Sequence, residues 1–189
     1  MAARQSFLIL GSALVGLVMA TNAYADDVQA ERNEAKTGAE EPLMSASIIG
    51  TYQSASDSRI NDEAALRPEV FITLPVAGIG GELHVHVEGT TTPRSNGVTS
   101  FLGNSNTNIG TATNSAGHGR LQLSELYYEF EGGSITYNVG LLDTTGFLDT
   151  SAFAGDERTQ FMNWSLVHNT TIEFPDYTLG AAMSTQSDG

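Results

Sequence analysis

From Leu43 onward, apolar and polar residues alternate with a period of two, the spacing of a strand with two unlike faces. Met44, Ala46, Ile48, Gly50 and Tyr52 alternate with Ser45, Ser47, Ile49 and Thr51. A second strand is predicted over Ala65–Val76, with Val70, Ile72 and Leu74 on one face and Pro75, which cannot donate to a ladder, marking its end. After the turn Gly78–Gly81, Leu83, Val85 and Val87 share one face, opposite Glu82, His84, His86 and Glu88. The plainest hairpin joins Arg120–Glu131 to Ser134–Leu142 through Gly132-Gly133, a pair that accepts positive φ at both central turn positions. Leu126, Tyr128 and Phe130 then match Ile135, Tyr137, Val139 and Leu141 on an apolar face, while Glu125, Tyr127, Glu129 and Glu131 lie on the wet one. Thr170–Phe174 and Tyr177–Ser184 form a last strand pair around Pro175-Asp176. The pattern predicts an all-β, antiparallel fold. A half-buried soluble sheet and a transmembrane barrel wall both produce such alternation.

The connections separate these alternatives. Gly78–Gly81 and Gly132-Gly133 are short, whereas Ser54–Glu63, Gly89–Gly119 and the stretch from Thr144 to Asn169 are long. Gly89–Gly119 is rich in Thr, Ser, Asn and Gly and has no apolar period, and about thirty such residues are out of place in a compact soluble domain. Outer-membrane barrels have long loops on one side and short turns on the other. Within the second long loop, Asp156 is placed to cap a helix over Glu157–Val167, with Phe161, Trp164 and Val167 or His168 on one face. That face packs either on the barrel or a neighbouring subunit, or inside the pore.

The order of motifs over residues 120–175 carries a resemblance. Ser124-Glu125-Leu126-Tyr127-Tyr128-Glu129, a glycine turn, Gly140-Leu141-Leu142-Asp143, the Phe147–Ala154 segment and Phe161-Met162-Asn163 through Pro175 resemble the carbohydrate-selective porins of Gram-negative outer membranes. Tyr127 stands where that family often has Trp, and the Thr144-Thr145 region is inserted. The resemblance implies a porin-type transmembrane β-barrel that lets sugars and other small solutes diffuse passively and selectively. The pattern gives about six to eight strands, whereas channel-forming porins use about sixteen to eighteen. With no terminal aromatic at Ser187-Asp188-Gly189, the expectation is the amino-terminal part of a longer barrel.

The amino terminus fits export. Arg4, the apolar run from Phe7 to Ala20 and the small residues of Ala23-Tyr24-Ala25 read as a signal peptide over residues 1–25. Residues 26–42 form an acidic, polar leader, and 43–189 the barrel portion. No later apolar run is long enough to span a bilayer as a helix, so outer-membrane localisation requires strands. The formal net charge is −14, and loss of Arg4 makes the mature product one unit more negative, which argues against nucleic acid as a partner. Outer-membrane lipid and small sugars are the expected partners, with a homo-oligomer allowed. Cysteine is absent, so neither disulfides nor thiolate metal sites are available. The alternative is a soluble secreted β-sandwich serving as a binding or adhesion module, in which the apolar faces would meet in a core.

No Gly-x-Ser-x-Gly elbow or His-Glu-x-x-His helix occurs, so catalysis and cofactors are not expected. His84 and His86 project to one face beside Glu82 and Glu88, but the local sequence offers no third metal ligand at a diagnostic spacing. For a sugar pore, the useful chemistry is planar hydrogen bonding from charged groups together with aromatic rings. The pore-lining candidates are Glu82, His84, His86, Glu88, Glu125, Tyr127 and Glu129 on the wet faces, with Arg67, Arg94, Arg120, Asp143, Asp149 and Arg158 near strand ends or in loops.

Overall fold

A computed structural model of the chain describes residues 41–102, 105–148, 160–168, 171 and 177–185. These residues contain six strands: β1 (Leu43–Gln53), β2 (Glu63–Pro75), β3 (Glu82–Gly89), β4 (Leu121–Gly132), β5 (Ile135–Leu142) and β6 (Thr178–Thr185). They form one sheet in chain order, each strand antiparallel to its predecessor. The sheet is open: among the described residues, β1 pairs only with β2 and β6 only with β5. Among the described residues, three one-turn helices lie in the long connections, α1 (Val98–Phe101), α2 (Thr145–Leu148) and α3 (Trp164–Val167).

The two faces are buried in the reverse of the usual sense. Leu179 is 82% exposed, Met183 73%, Leu121 72% and Ile48 65%, whereas Glu88 and Ser124 are fully buried and Asn138 is 2% exposed. The polar face is covered because the long connections fold over it. Val98, Ile109, Ala112 and Val167 from those connections are buried, as are Ala65, Tyr127 and Leu142 of the sheet. The two longest connections are tied together where the Thr107 backbone N–H and hydroxyl both donate to the Met162 carbonyl, at 2.6 and 2.9 Å. Loops 54–62, 90–120 and 143–177 leave from one end of the meander, and turns 76–81 and 133–134 from the other.

The paired faces of the central hairpin are as the alternation predicts, with Leu126 opposite Leu141, Tyr128 opposite Val139 and Phe130 opposite Tyr137. Its turn lies one residue later than expected. Gly132 pairs with Ile135, the turn is Gly133-Ser134, and of these two only Gly133 has positive φ (72°). β2 begins at Glu63, two residues before the expected start, because the ladder with β1 runs on to the Gln53–Glu63 pair. Gly89–Gly119 is folded rather than structureless: it contains α1 and a bridge between Thr113 and Gly119.

Of the helix expected over 157–167, residues 160–167 are described, and among them only Trp164–Val167 is helical. Its cap is Asn163, whose side-chain oxygen accepts the Ser165 N–H at 2.9 Å, so Gln160–Asn163 stay outside it. Trp164 and His168 still meet, with ring centroids 5.3 Å apart. Residues 1–40, Asp156 and most of the expected 170–174 strand lie outside the described residues, and Thr171 lies in a turn.

One irregularity sets the parity of the whole wall. The β3–β4 register shifts between His86, opposite Glu125, and Val87, opposite Leu123, leaving Ser124 as the extra residue of a β-bulge. Leu121 and Leu123 before it, and Leu126, Tyr128 and Phe130 after it, thereby share the outer face although their numbers change from odd to even. Ser124 and Glu125 both turn inward.

Candidate functional site

The middle of the inner face holds a buried charge network whose charges come from β2 and β3, with hydroxyl and amide partners from β1 and β4. Arg67 and Glu69 follow each other at the strand period on β2, and the register sets Glu69 opposite Glu88 of β3. Nη2 of Arg67 lies 2.9 Å from Glu69 Oε1 and 2.9 Å from Glu88 Oε2. Its other terminal nitrogen, Nη1, donates to Asn108 Oδ1 at 3.4 Å, so the folded loop closes over the ion pair. The remaining oxygens are also engaged. Glu69 Oε2 accepts the Ser47 hydroxyl at 3.0 Å, and Glu88 Oε1 accepts from Ser124 at 2.6 Å, from Gln122 at 3.1 Å and from the Tyr177 hydroxyl. Charges taken out of water persist when they are paired; here Arg67 Nη2 is shared between the two carboxylates, and Glu69 Oε2 and Glu88 Oε1 accept hydrogen bonds as well.

Next to this network, His86 stacks on Phe71 with centroids 4.1 Å apart, and its Nδ1 is 3.4 Å from Glu125 Oε2. Toward the turn end, His84 stacks on Tyr127 at 4.8 Å, Tyr127 meets Phe147 edge-on at 6.1 Å, and Glu82 and Glu129 are partners across β3 and β4. Toward the loop end, Asp143 Oδ1 accepts the backbone N–H and hydroxyl of Thr145, at 2.9 and 2.6 Å. Burial pushes the Asp143 carboxyl above the ordinary value, against those two hydrogen bonds; nearby Glu125 adds to the rise and His168 opposes it. The Tyr177 hydroxyl is also raised, by burial first and then by the Glu88 charge beside it.

A second polar cluster fastens the loop to the end of the sheet. Glu63 accepts the Arg94 N–H at 2.9 Å and the Thr99 N–H at 2.8 Å, so a carboxylate from β2 caps the first turn of α1. Gly97 makes this approach possible: a Cβ there would stand 2.7 Å from the Glu63 carboxyl carbon. Asn106 then donates to the Thr51 hydroxyl at 3.0 Å and to Gln53 Oε1 at 3.2 Å.

Of the candidates, Arg67, Glu82, His84, His86, Glu88, Glu125, Tyr127 and Glu129 fall on the inner face, with Asp143 at its rim. Arg94 and Arg120 are exposed at the loop end, where Arg94 donates to the Asp62 carbonyl at 2.9 Å and Arg120 to Gln122 at 3.1 Å. Asp149 and Arg158 lie outside the described residues. Glu63, Glu69, Asn108, Ser124 and Asn138 are buried polar residues of this face or its covering loops, and Tyr177 meets Glu88; none of them is among the candidates. Glu69 had a signal, its position two residues beyond Arg67 on the same face, and Ser124 had another, the odd-to-even change of the apolar positions. Asn108 and Tyr177 reach the network through tertiary folding and had none.

No family model matches the chain, and no solved structure matches it. A protein of Aquifex aeolicus (strain VF5), described only as uncharacterized, is 38% identical over 66 residues, a stretch that is 35% of this chain and 21% of that protein. The match therefore spans about a fifth of the relative's length, and the chain is similar over that stretch to a protein whose description names no activity.

Proposed function

We propose that this sheet is part of the wall of an outer-membrane β-barrel and that the whole barrel is a porin for passive, selective diffusion of carbohydrates and other small solutes. The observation that carries the reading is the inverted burial: an apolar outer face exposed along the sheet, and an ionic inner face covered by the chain's own loops. A barrel wall in lipid needs that arrangement, whereas a β-sandwich would pack the apolar face inside. The loop and turn asymmetry supports the same reading, with loops 90–120 and 143–177 at one end and turns 76–81 and 133–134 at the other. Folding of loop 90–120 onto the inner face supports a narrowed lumen: the buried Arg67–Glu69–Glu88 network fastens the loop, and the half-buried Glu82, Glu125 and Glu129 of the same face can exchange hydrogen bonds with sugar hydroxyls. Solute moves down its own gradient, and no covalent step is involved. The six strands have open edges at β1 and β6, so closure requires further strands to pair with both.

The test is sugar flux into liposomes containing the closed barrel, this chain together with the strands that complete it. Uptake of mono- and disaccharides above that of protein-free vesicles is expected. Protein that stays monodisperse without detergent and leaves vesicles impermeable would overturn the reading.

A further inference from the structure

The inner face changes character from β4 to β6. On β2–β4 it carries long ionic and aromatic side chains, but the register then sets Tyr127 opposite Gly140, and Gly140 opposite Gly180. The next rung toward the turns runs Glu129, Asn138, Ala182. Strands are spaced by about 4.8 Å, so roughly 10 Å of wall beyond Tyr127 carries no side chain on its rung. The Tyr127 ring is engaged on the opposite side, where it stacks on His84 of β3.

The two glycines have different origins. At Gly140 the backbone requires one: φ is 150°, and a Cβ would stand 2.3 Å from the Leu126 carbonyl oxygen. Gly180 has no such requirement. It is exposed, and a Cβ there would meet Leu142 Cδ1 at 3.9 Å, an ordinary contact. Its pairing with β5 is regular, without a bulge. A strand glycine with neither strain nor bulge to explain it marks a place where a ligand approaches the backbone closely.

Asn138 is an independent observation. It is 2% exposed, and its Oδ1 has no hydrogen-bond partner among the described residues. An unpaired buried amide oxygen costs stability that an apolar residue of the same shape would not. The register sets Asn138 beside Ala182 and two residues from Gly140 on the same face, so the amide borders the side-chain-free rung. An amide carries both donor and acceptor without charge, the chemistry that pairs with neutral hydroxyl groups.

We propose that Asn138 is the polar anchor of a saccharide subsite on the inner face of β5 and β6, with Gly140, Gly180 and Ala182 as its floor. The subsite rests on the porin reading and names where on the wall the solute is held. It lies two strands away from β3 and apart from the Arg67 network that fastens the loop.

The experiment is the concentration dependence of D-glucose uptake by liposomes containing the closed barrel, for the parent, Asn138→Leu, Gly180→Val and the outer-face control Ala181→Val. Saturable uptake is expected in the parent and in Ala181→Val. Loss of a hydrogen bond to the sugar should raise the half-saturating concentration about tenfold in Asn138→Leu. That variant should melt at or above the parent temperature, because it deletes an unpaired buried oxygen, so its defect is not one of folding. Gly180→Val fills the floor from an exposed position and should raise the half-saturating concentration by about tenfold as well. Uptake that rises linearly with D-glucose in the parent would overturn the subsite and leave the porin reading standing. So would an unchanged half-saturating concentration in Asn138→Leu or Gly180→Val, or a lower melting temperature for Asn138→Leu, which would show that the amide is held by the protein. No uptake by the parent would overturn both.

Discussion

Removing the Arg67 guanidinium would leave the buried carboxylates Glu69 and Glu88 facing each other across a strand pair. Arg67→Ala is expected to destabilise the fold by about 3–5 kcal/mol, as for other buried pairs that lose one partner. Arg67→Lys should recover only part of that, since an ammonium has no planar fork to reach both carboxylates and Asn108. Denaturant unfolding in detergent measures both. Asp143 gives a prediction of opposite sign. Its folded-state pKa is raised, by burial first, so its favourable contribution is complete below the ordinary value of 3.8 and is lost as pH rises through the folded value. Asp143→Asn keeps an oxygen for Thr145 and removes the charge, so near neutral pH it should be neutral or stabilising by up to about 1 kcal/mol, a gain that vanishes in acid. Melting the two proteins across that pH range tests it. Both residues were legible as polar groups on or beside the inner wall. Asn108 of the loop, which meets Arg67, and Tyr177 before β6, which meets Glu88, were not, because tertiary contacts leave no trace in a period of two.

At the scale of elements, period two located the strands well because each has one wet and one apolar face. It failed where a single residue breaks the count. The bulge at Ser124 could have been read from the shift between Leu121, Leu123 and Leu126, Tyr128, whereas a helix as short as α3 has too few residues for a helical period to outline it. Pairing of β4 with β5 also depends on Gly140, which has φ 150° and lies where a Cβ would stand 2.3 Å from the Leu126 carbonyl oxygen. Backbone on the partner strand cannot yield as a side-chain tip can. Gly140→Ala is therefore expected to cost about 1–3 kcal/mol or more and to disturb the hairpin. Faster amide exchange at Leu126 and Tyr128 relative to β1–β2 would confirm that the damage is local. An unchanged unfolding midpoint would show that the strand pair adapts.

For the whole molecule, the fold reverses the usual relation between polarity and burial, and that reversal makes a prediction that can be read residue by residue. The chain contains no cysteine, so single cysteines report cleanly. If the outer face lies in lipid, cysteines replacing Leu123, Leu126 and Val139 should resist a membrane-impermeant maleimide in liposomes and react once detergent replaces the bilayer. Cysteines at Glu129 and Thr136, on the inner face near the turns, should react in both settings. The protected positions should step from odd to even across Ser124, a signature that a uniform strand cannot give. An arginine at Leu126 or Val139 should oppose insertion by about 2–4 kcal/mol near the bilayer midplane and by less toward its surfaces. The same arginine on a solvent-facing sheet would have little effect and would improve solubility. Labelling of the outer positions in intact liposomes, together with normal insertion of the arginine variants, would mean that lipid does not cover this face. The exposed Leu, Ile, Val and Met side chains would then have to be buried by another protein surface.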